Sequence, residues 1–327
     1  MRMKYLVSCA AWAFAAIASA AAGPALAADY PDHAVKVIVP FAAGGPTDVM
    51  ARLIAQKLSE NLKQQFYVED HAGAGGNIGM TMAARSAPDG YTILVASSSF
   101  MVNPSLYATP PYDPYKDFAP VTRAAATPNI IVVHPSIQAK TIKELIDLVK
   151  ANPGKYSIAN PGIGTTPQLA TELLKLSYGL DATAIPFGGS GPEIQSALGA
   201  QTPIAFSTLP PTTTQVTAGN LHGLAITAAK RTAALPDVPT MAESGIQGQE
   251  SETMQGILVP AGTPQAIVDL LNREIVKAMQ LPDVKAKCLE LGFDVVADSP
   301  PDFAAYIKND INKWAKVIAD AKIEKMH

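Results

Sequence analysis

The chain has 327 residues, 48% of them hydrophobic, which is enough for a sizeable core; chains beyond about 250–300 residues tend to divide into lobes or domains. Lys and Arg total 25 against 28 Asp and Glu, a formal net charge of −3, which excludes the basic face of a nucleic-acid binder. The five histidines are too far apart in sequence to form a local metal pair, so neither a metal nor a cofactor is expected.

Residues 1–27 read as a cleaved signal peptide. Arg2 and Lys4 precede an apolar, Ala-rich run, and Ala25-Leu26-Ala27 has the small-x-small form of a cleavage site. The alternative, a membrane anchor, fits the Ala-rich composition less well. Removal leaves Cys288 as the one cysteine, so no internal disulfide is possible. Its setting, Val284 to Leu289, reads as a helix with the thiol as a small buried hydrophobe. No later apolar run is long enough to span a bilayer, and the mature chain is expected in the periplasm.

The mature sequence opens on a β-branched run, residues 34–41, bounded by Pro and Gly as a buried strand is. A Gly loop follows, and then Met50, Leu53, Ile54, Leu58 and Leu62 form a helical stripe. A strand at 66–69, a helix after Gly76 and a strand at 91–96 continue the alternation that implies a mostly parallel sheet. Two apolar strands, near 119–125 and 129–133, occur with no helix between them and read as a hinge into a second lobe.

There the alternation resumes with a helix at 142–149, a strand at 156–159, and a helix carrying Leu169, Leu173 and Leu176. Strands follow at 182–186, 204–207 and 224–227. Residues 251–260 read as the return crossover. Helical stripes at Ile267, Leu270, Leu271, Ile275 and Met279, and at Phe303, Tyr306, Ile307, Ile311, Trp314 and Ile318, close the first lobe. The expected division is 28–125 with 251–327 in lobe 1 and 126–250 in lobe 2. The fold class expected is α/β, a two-lobed clamshell with two hinge-crossing strands.

Two segments share one plan of strand, Gly loop and helix. The first loop is Phe41, Ala42, Ala43, Gly44, Gly45, Pro46, Thr47 and Asp48; the second is Asn160, Pro161, Gly162, Ile163, Gly164, Thr165 and Thr166. A helix entered through such a turn offers unpaired N–H groups and the positive end of its dipole, a setting that binds anions. Two such loops facing across a cleft would hold the ends of a dicarboxylate; either loop alone is explained as simple helix capping. The arginines Arg52, Arg85, Arg123, Arg231 and Arg273 all lie outside the Gly-rich loops, and Arg123, the one near the hinge, reads as a paired surface residue. Gly73-Ala74-Gly75-Gly76 lacks nucleotide-loop spacing and reads as a turn and helix start. Gly188-Gly189-Ser190-Gly191 is not a hydrolase elbow and reads as a tight turn before the helix at Glu193, with N–H groups that can face the cleft.

Several segments in order carry a family resemblance: Ile38 to Gly45 with Asp48, Gly73 to Gly79, Ala87 to Thr92, Leu235 to Gly245, and Pro260 to Pro264. The chain resembles the solute-binding proteins of the tripartite tricarboxylate transporter family over essentially its whole mature length. The resemblance implies a periplasmic clamshell that is no enzyme, binds a small carboxylate and hands it to the membrane permease subunits of the transporter. It adds Phe187, Gly188 and Ser207 to the ligand-binding residues.

Departures from the family pattern include Pro46, which removes one N–H donor, Gln168 in place of a frequent His, Phe187-Gly188 in place of Tyr-Lys, Thr202-Pro203 in place of Val-Asp, and Met254-Gln255 where a Trp is frequent. Loss of polar groups at Phe187 and Met254 points to an aromatic or longer-chain acid as the alternative to a short dicarboxylate. A monomer is expected, with both lobes free to dock. The rival readings are the same fold presenting ligand to a membrane sensor and, lower, a secreted hydrolase.

Overall fold

The β-branched run Val35–Val39 forms β1 and leads through a Gly turn into α1, Pro46–Leu62. The computed structural model describes residues 30–320 and 324–326; the expected signal peptide lies outside them. From His33 onward the described residues form one unit. β2 (Phe66–Asp70), α2 (Asn77–Ala84), β3 (Thr92–Ala96) and α3 (Ser99–Leu106) follow. β4, Phe118–Val133, is a single strand of 16 residues.

The second half holds α4 (Ile142–Lys150), β5 (Ser157–Asn160), α5 (Thr166–Tyr178), β6 (Thr183–Pro186), α6 (Ser190–Leu198), β7 (Ile204–Thr208), α7 (Leu209–Thr217) and β8 (His222–Ile226). The chain returns along β9 (Glu252–Pro260) to α8 (Gln265–Met279), α9 (Pro282–Leu291), β10 (Asp294–Val295) and α10 (Pro300–Asp320). Among the described residues no helix is long and apolar enough to cross a membrane.

The strand order is β2-β1-β3-β9-β4-β7-β5-β6, with β8 and β10 also paired to β4. β1 runs parallel to β2 and β3, and β5 runs parallel to β6 and β7. The two strands expected near 119–125 and 129–133 are one continuous strand, β4. The first part of β4, Phe118 to Pro128, pairs antiparallel with β9, and the rest, Asn129 to Val133, pairs with β7 and β8. Thr127-Pro128-Asn129 has turn composition, yet it stays extended because Pro128, which has no N–H to donate, falls where the strand changes partners.

Two α/β lobes result, each with its own core. In the first, Ile38, Leu94, Phe100, Met101, Phe303 and Trp314 pack together. In the second, Ile131, Ile158, Ile204 and Phe206 pack against Leu145 and Ile146 of α4. Leu169 of α5 joins the first cluster rather than the second. The helix expected there forms as α5, but of Leu169, Leu173 and Leu176 only the first is buried: Leu173 and Leu176 are 39% and 68% exposed, and Ala170 and Leu174 are buried instead. Helices α3 and α7 escaped the sequence reading. Pro104 interrupts the first, and the second, LPPTTTQVT, is poor in strong helix formers.

Candidate functional site

A narrow cavity lies where the strand ends of both lobes meet. From the first lobe it is lined by Phe41, Gly45, Pro46, Thr47 and Ser97. From the second come Pro161, Thr165, Pro167, Ser190 and Thr208, and β9 contributes Thr253. Six of these carry hydroxyls, and none carries a charge.

Four helices begin at this wall. Gly45 precedes α1, Thr165 precedes α5, Gly189 precedes α6 and Thr208 precedes α7, and none of the four ends has a side-chain cap. Thr141, remote from the cavity, does cap α4, its hydroxyl accepting from the Glu144 N–H at 3.1 Å. The cavity helices thus keep aligned dipoles for an anion, with the first-turn N–H groups that Pro46, Pro167, Pro192, Pro210 and Pro211 do not remove, and without a cationic side chain. The hydroxyls are held by the protein: Thr165 donates to the Gly162 carbonyl at 2.6 Å, and Ser190 and Thr208 share a bond of 3.1 Å.

Of the residues expected from the sequence, Phe41, Gly45, Thr47 and Thr165 line the cavity. The others in the two loops build it. Ala42 donates its N–H to the Gly188 carbonyl at 2.9 Å, which binds the loop after β1 to the loop after β6. Gly44 donates to Oδ2 of buried Asp48 at 2.8 Å, so this N–H is already taken, and Oδ1 of Asp48 lies 2.7 Å from Nε of Arg52. Asp48 is therefore a loop brace, and its charge faces Arg52. The Ala43 carbonyl lies against Gly191.

In the second loop, Oδ1 of Asn160 accepts from the Gly162 N–H at 3.2 Å, and the Gly164 N–H reaches Oε1 of Gln168 at 3.3 Å. Thr166 bonds Thr253 hydroxyl to hydroxyl, and Thr253 donates to Oδ1 of Asn129 at 2.9 Å, so a polar cluster joins the start of α5 to the strands between the lobes.

Phe187 and Ser207, expected outside these two loops, do not reach the cavity wall either. Phe187 packs against the second-lobe cluster that includes Ile194 and Leu209. Ser207 donates to Oε2 of Glu193 at 2.8 Å, and the next residue, Thr208, takes the place at the wall because successive strand residues face opposite ways. Glu193 is fully buried with Ser207 as its single side-chain partner, and loss of hydration pushes its carboxyl well above the usual carboxylate range.

The sequence reading passed over Ser97 and Thr253, whose signal was present: Ser97 follows β3 as the other wall loops follow their strands, and Thr253 opens the return strand. Arg123 pairs with Asp298 at 3.2 Å and lies 4.0 Å over the Tyr306 ring, away from the cavity wall. Among the described residues no group of three or more His, Cys, Asp or Glu side chains could hold a metal ion.

Comparison with known proteins agrees with this geometry. The family profile described as tripartite tricarboxylate transporter family receptor matches residues 50–323. Protein BugT of Bordetella pertussis is 37% identical over 301 residues, covering 91% of this chain and 92% of its own. The structure of the periplasmic binding protein BugD superimposes with a TM-score of 0.88 at 37% identity, covering 91% of this chain and 100% of that one. The R. palustris protein Rpa4515, solved with adipate, gives 0.87 at 33% identity, with coverage of 91% and 100%. This chain therefore belongs to the tripartite tricarboxylate transporter family receptors, and is a carrier-type binding protein rather than an enzyme.

Proposed function

We propose that the protein captures a small carboxylate, in the first instance an aliphatic dicarboxylate, between its lobes in the periplasm and delivers it to permease subunits of a tripartite tricarboxylate transporter. The observation that carries this reading is the convergence of four uncapped helix starts on one cavity without a charged side chain in its wall. Such a wall holds an anion through N–H groups and hydroxyls, and Phe41, Pro46, Pro161 and Pro167 supply apolar contact for its carbon chain. The adipate-bound relative supports the choice of a dicarboxylate. In this reading residues 1–27 are removed on export, 28–125 with 251–327 and 126–250 form the two lobes, and the mature chain acts as a monomer. Closure follows from ligand contacts that exist only when both lobes meet.

The test is a thermal-shift screen of residues 28–327 against aliphatic and aromatic mono-, di- and tricarboxylates. A ligand at about 100 times its dissociation constant should stabilise by roughly 2.7 kcal/mol. Stabilisation by neutral solutes, with no carboxylate active, would overturn the proposal.

A further inference from the structure

Gln255 is fully buried, and among the described residues neither its amide nitrogen nor its amide oxygen has a hydrogen-bond partner. Buried amides left wholly unpaired are rare, because each group forfeits its hydration without replacement. The backbone places this one beside the cavity. Thr253 lines the wall, and Gln255, two residues further along β9, leaves the sheet on the same face. Met254 and Leu258 go the other way, into the first-lobe core.

The flanking residues are small. Ala96 pairs with Gly256, and one further step of that register sets the wall residue Ser97 opposite Gln255. On the other side Gln255 pairs with Ala125. Helix α1, whose first turn lines the cavity, packs across β9. An unanswered donor and acceptor therefore lie next to the wall residues Ser97 and Thr253, on the face of the sheet that those two turn toward the cavity.

We propose that Gln255 is a specificity-determining residue, and that it selects a carboxylate ligand that also bears a hydroxyl or carboxamide group. The inference rests on the carboxylate reading above and sharpens it. Nε2 of Gln255 donates and Oε1 accepts, so the matching group must do both. A hydroxyl or a primary amide satisfies each atom. A carboxylate satisfies only Nε2 and turns its lone pairs toward Oε1, and a methylene satisfies neither. The amide carries no charge, so it sorts ligands without altering the hold of the helix ends on the anion.

Isothermal titration of residues 28–327 with acids that differ by one hydroxyl tests this: succinate against malate, glutarate against 2-hydroxyglutarate, phenylacetate against mandelate. The hydroxylated member should bind at least about tenfold more tightly in one or more pairs, because sites built to hydrogen-bond a hydroxyl reject analogues without it. In Gln255→Met the preference should fall below about threefold, through weaker binding of the hydroxylated acid. If that variant fails to fold, Gln255→Leu takes its place. Equal binding within every pair by the wild-type protein overturns the inference, with water then serving Gln255, and leaves the carboxylate reading standing. Failure of every acid to bind removes both.

Discussion

Ala43 and Gly191 meet backbone to backbone: a Cβ on Gly191 would stand 2.2 Å from the Ala43 carbonyl oxygen. The adjoining bond from the Ala42 N–H to the Gly188 carbonyl joins the same two loops, one from each lobe. The loop after β1 and the turn into α6 are thus in direct contact, and the contact is possible only because residue 191 lacks a side chain.

Gly191→Ala should therefore block closure without harming the lobes. Gly191 lies in the first turn of α6 and has no positive φ, so alanine suits its backbone. The ligand-free melting temperature should change by only about 2–4 °C, the shift that about 1 kcal/mol produces, because the half-buried Gly191 sits at the loop contact and in none of the apolar clusters. Carboxylate affinity should fall at least about tenfold, because binding depends on the closed state. Calorimetry measures the second, and unchanged affinity would show that the loops need not touch.

Asp48→Ala should loosen the loop after β1. The carboxylate holds the Gly44 N–H and faces Arg52 at 2.7 Å, and its loss leaves the Gly44 N–H without its acceptor. Arg52 keeps Asp70 at 3.0 Å, so the guanidinium is not abandoned. A loss of about 1–3 kcal/mol in urea unfolding is expected, together with weaker ligand binding. A change within experimental error would mean the Gly turn holds its shape alone.

Glu193 should tie stability to pH. Burial raises its folded-state pKa above the ordinary 4.5, so the folded protein keeps a proton that the unfolded chain releases. Its contribution to stability is fully present below about pH 4.5 and is lost as pH rises toward the folded pKa, by at most about 1.4 kcal/mol per pH unit. Glu193→Gln, whose amide oxygen can still accept from Ser207, should remove that loss. Its stability relative to wild type should therefore grow between pH 5 and 8 in parallel urea titrations. A constant difference would show that Glu193 is not protonated in the fold.

Cys288 should resist thiol reagents. It is buried in α9, and burial pushes its thiol up to about 11, so little thiolate exists at neutral pH. Labelling with a chromogenic disulfide should be slow in the native protein and rapid after denaturation. Fast native labelling would mean that α9 opens readily.

Strand–helix alternation was legible because burial on one face or both dictates period and composition: Val35–Val39, the α1 stripe and the α8 stripe all follow that rule. Helix α7 was not legible, since its threonines and prolines disfavour a helix locally and packing of Leu209 against the second-lobe cluster overrides them. The same holds for Leu173 and Leu176, where periodicity marks a stripe but the covering surface reaches only Leu169.

The sequence by itself determined the two Gly loops, because Gly44, Gly162 and Gly164 take positive φ values that glycine adopts without steric cost. Which of their atoms face the cavity was a tertiary decision. Thr208 rather than Ser207, Ser97, Thr253 and the amide of Gln255 are placed by register between strands far apart in the chain, and no local pattern encodes that pairing.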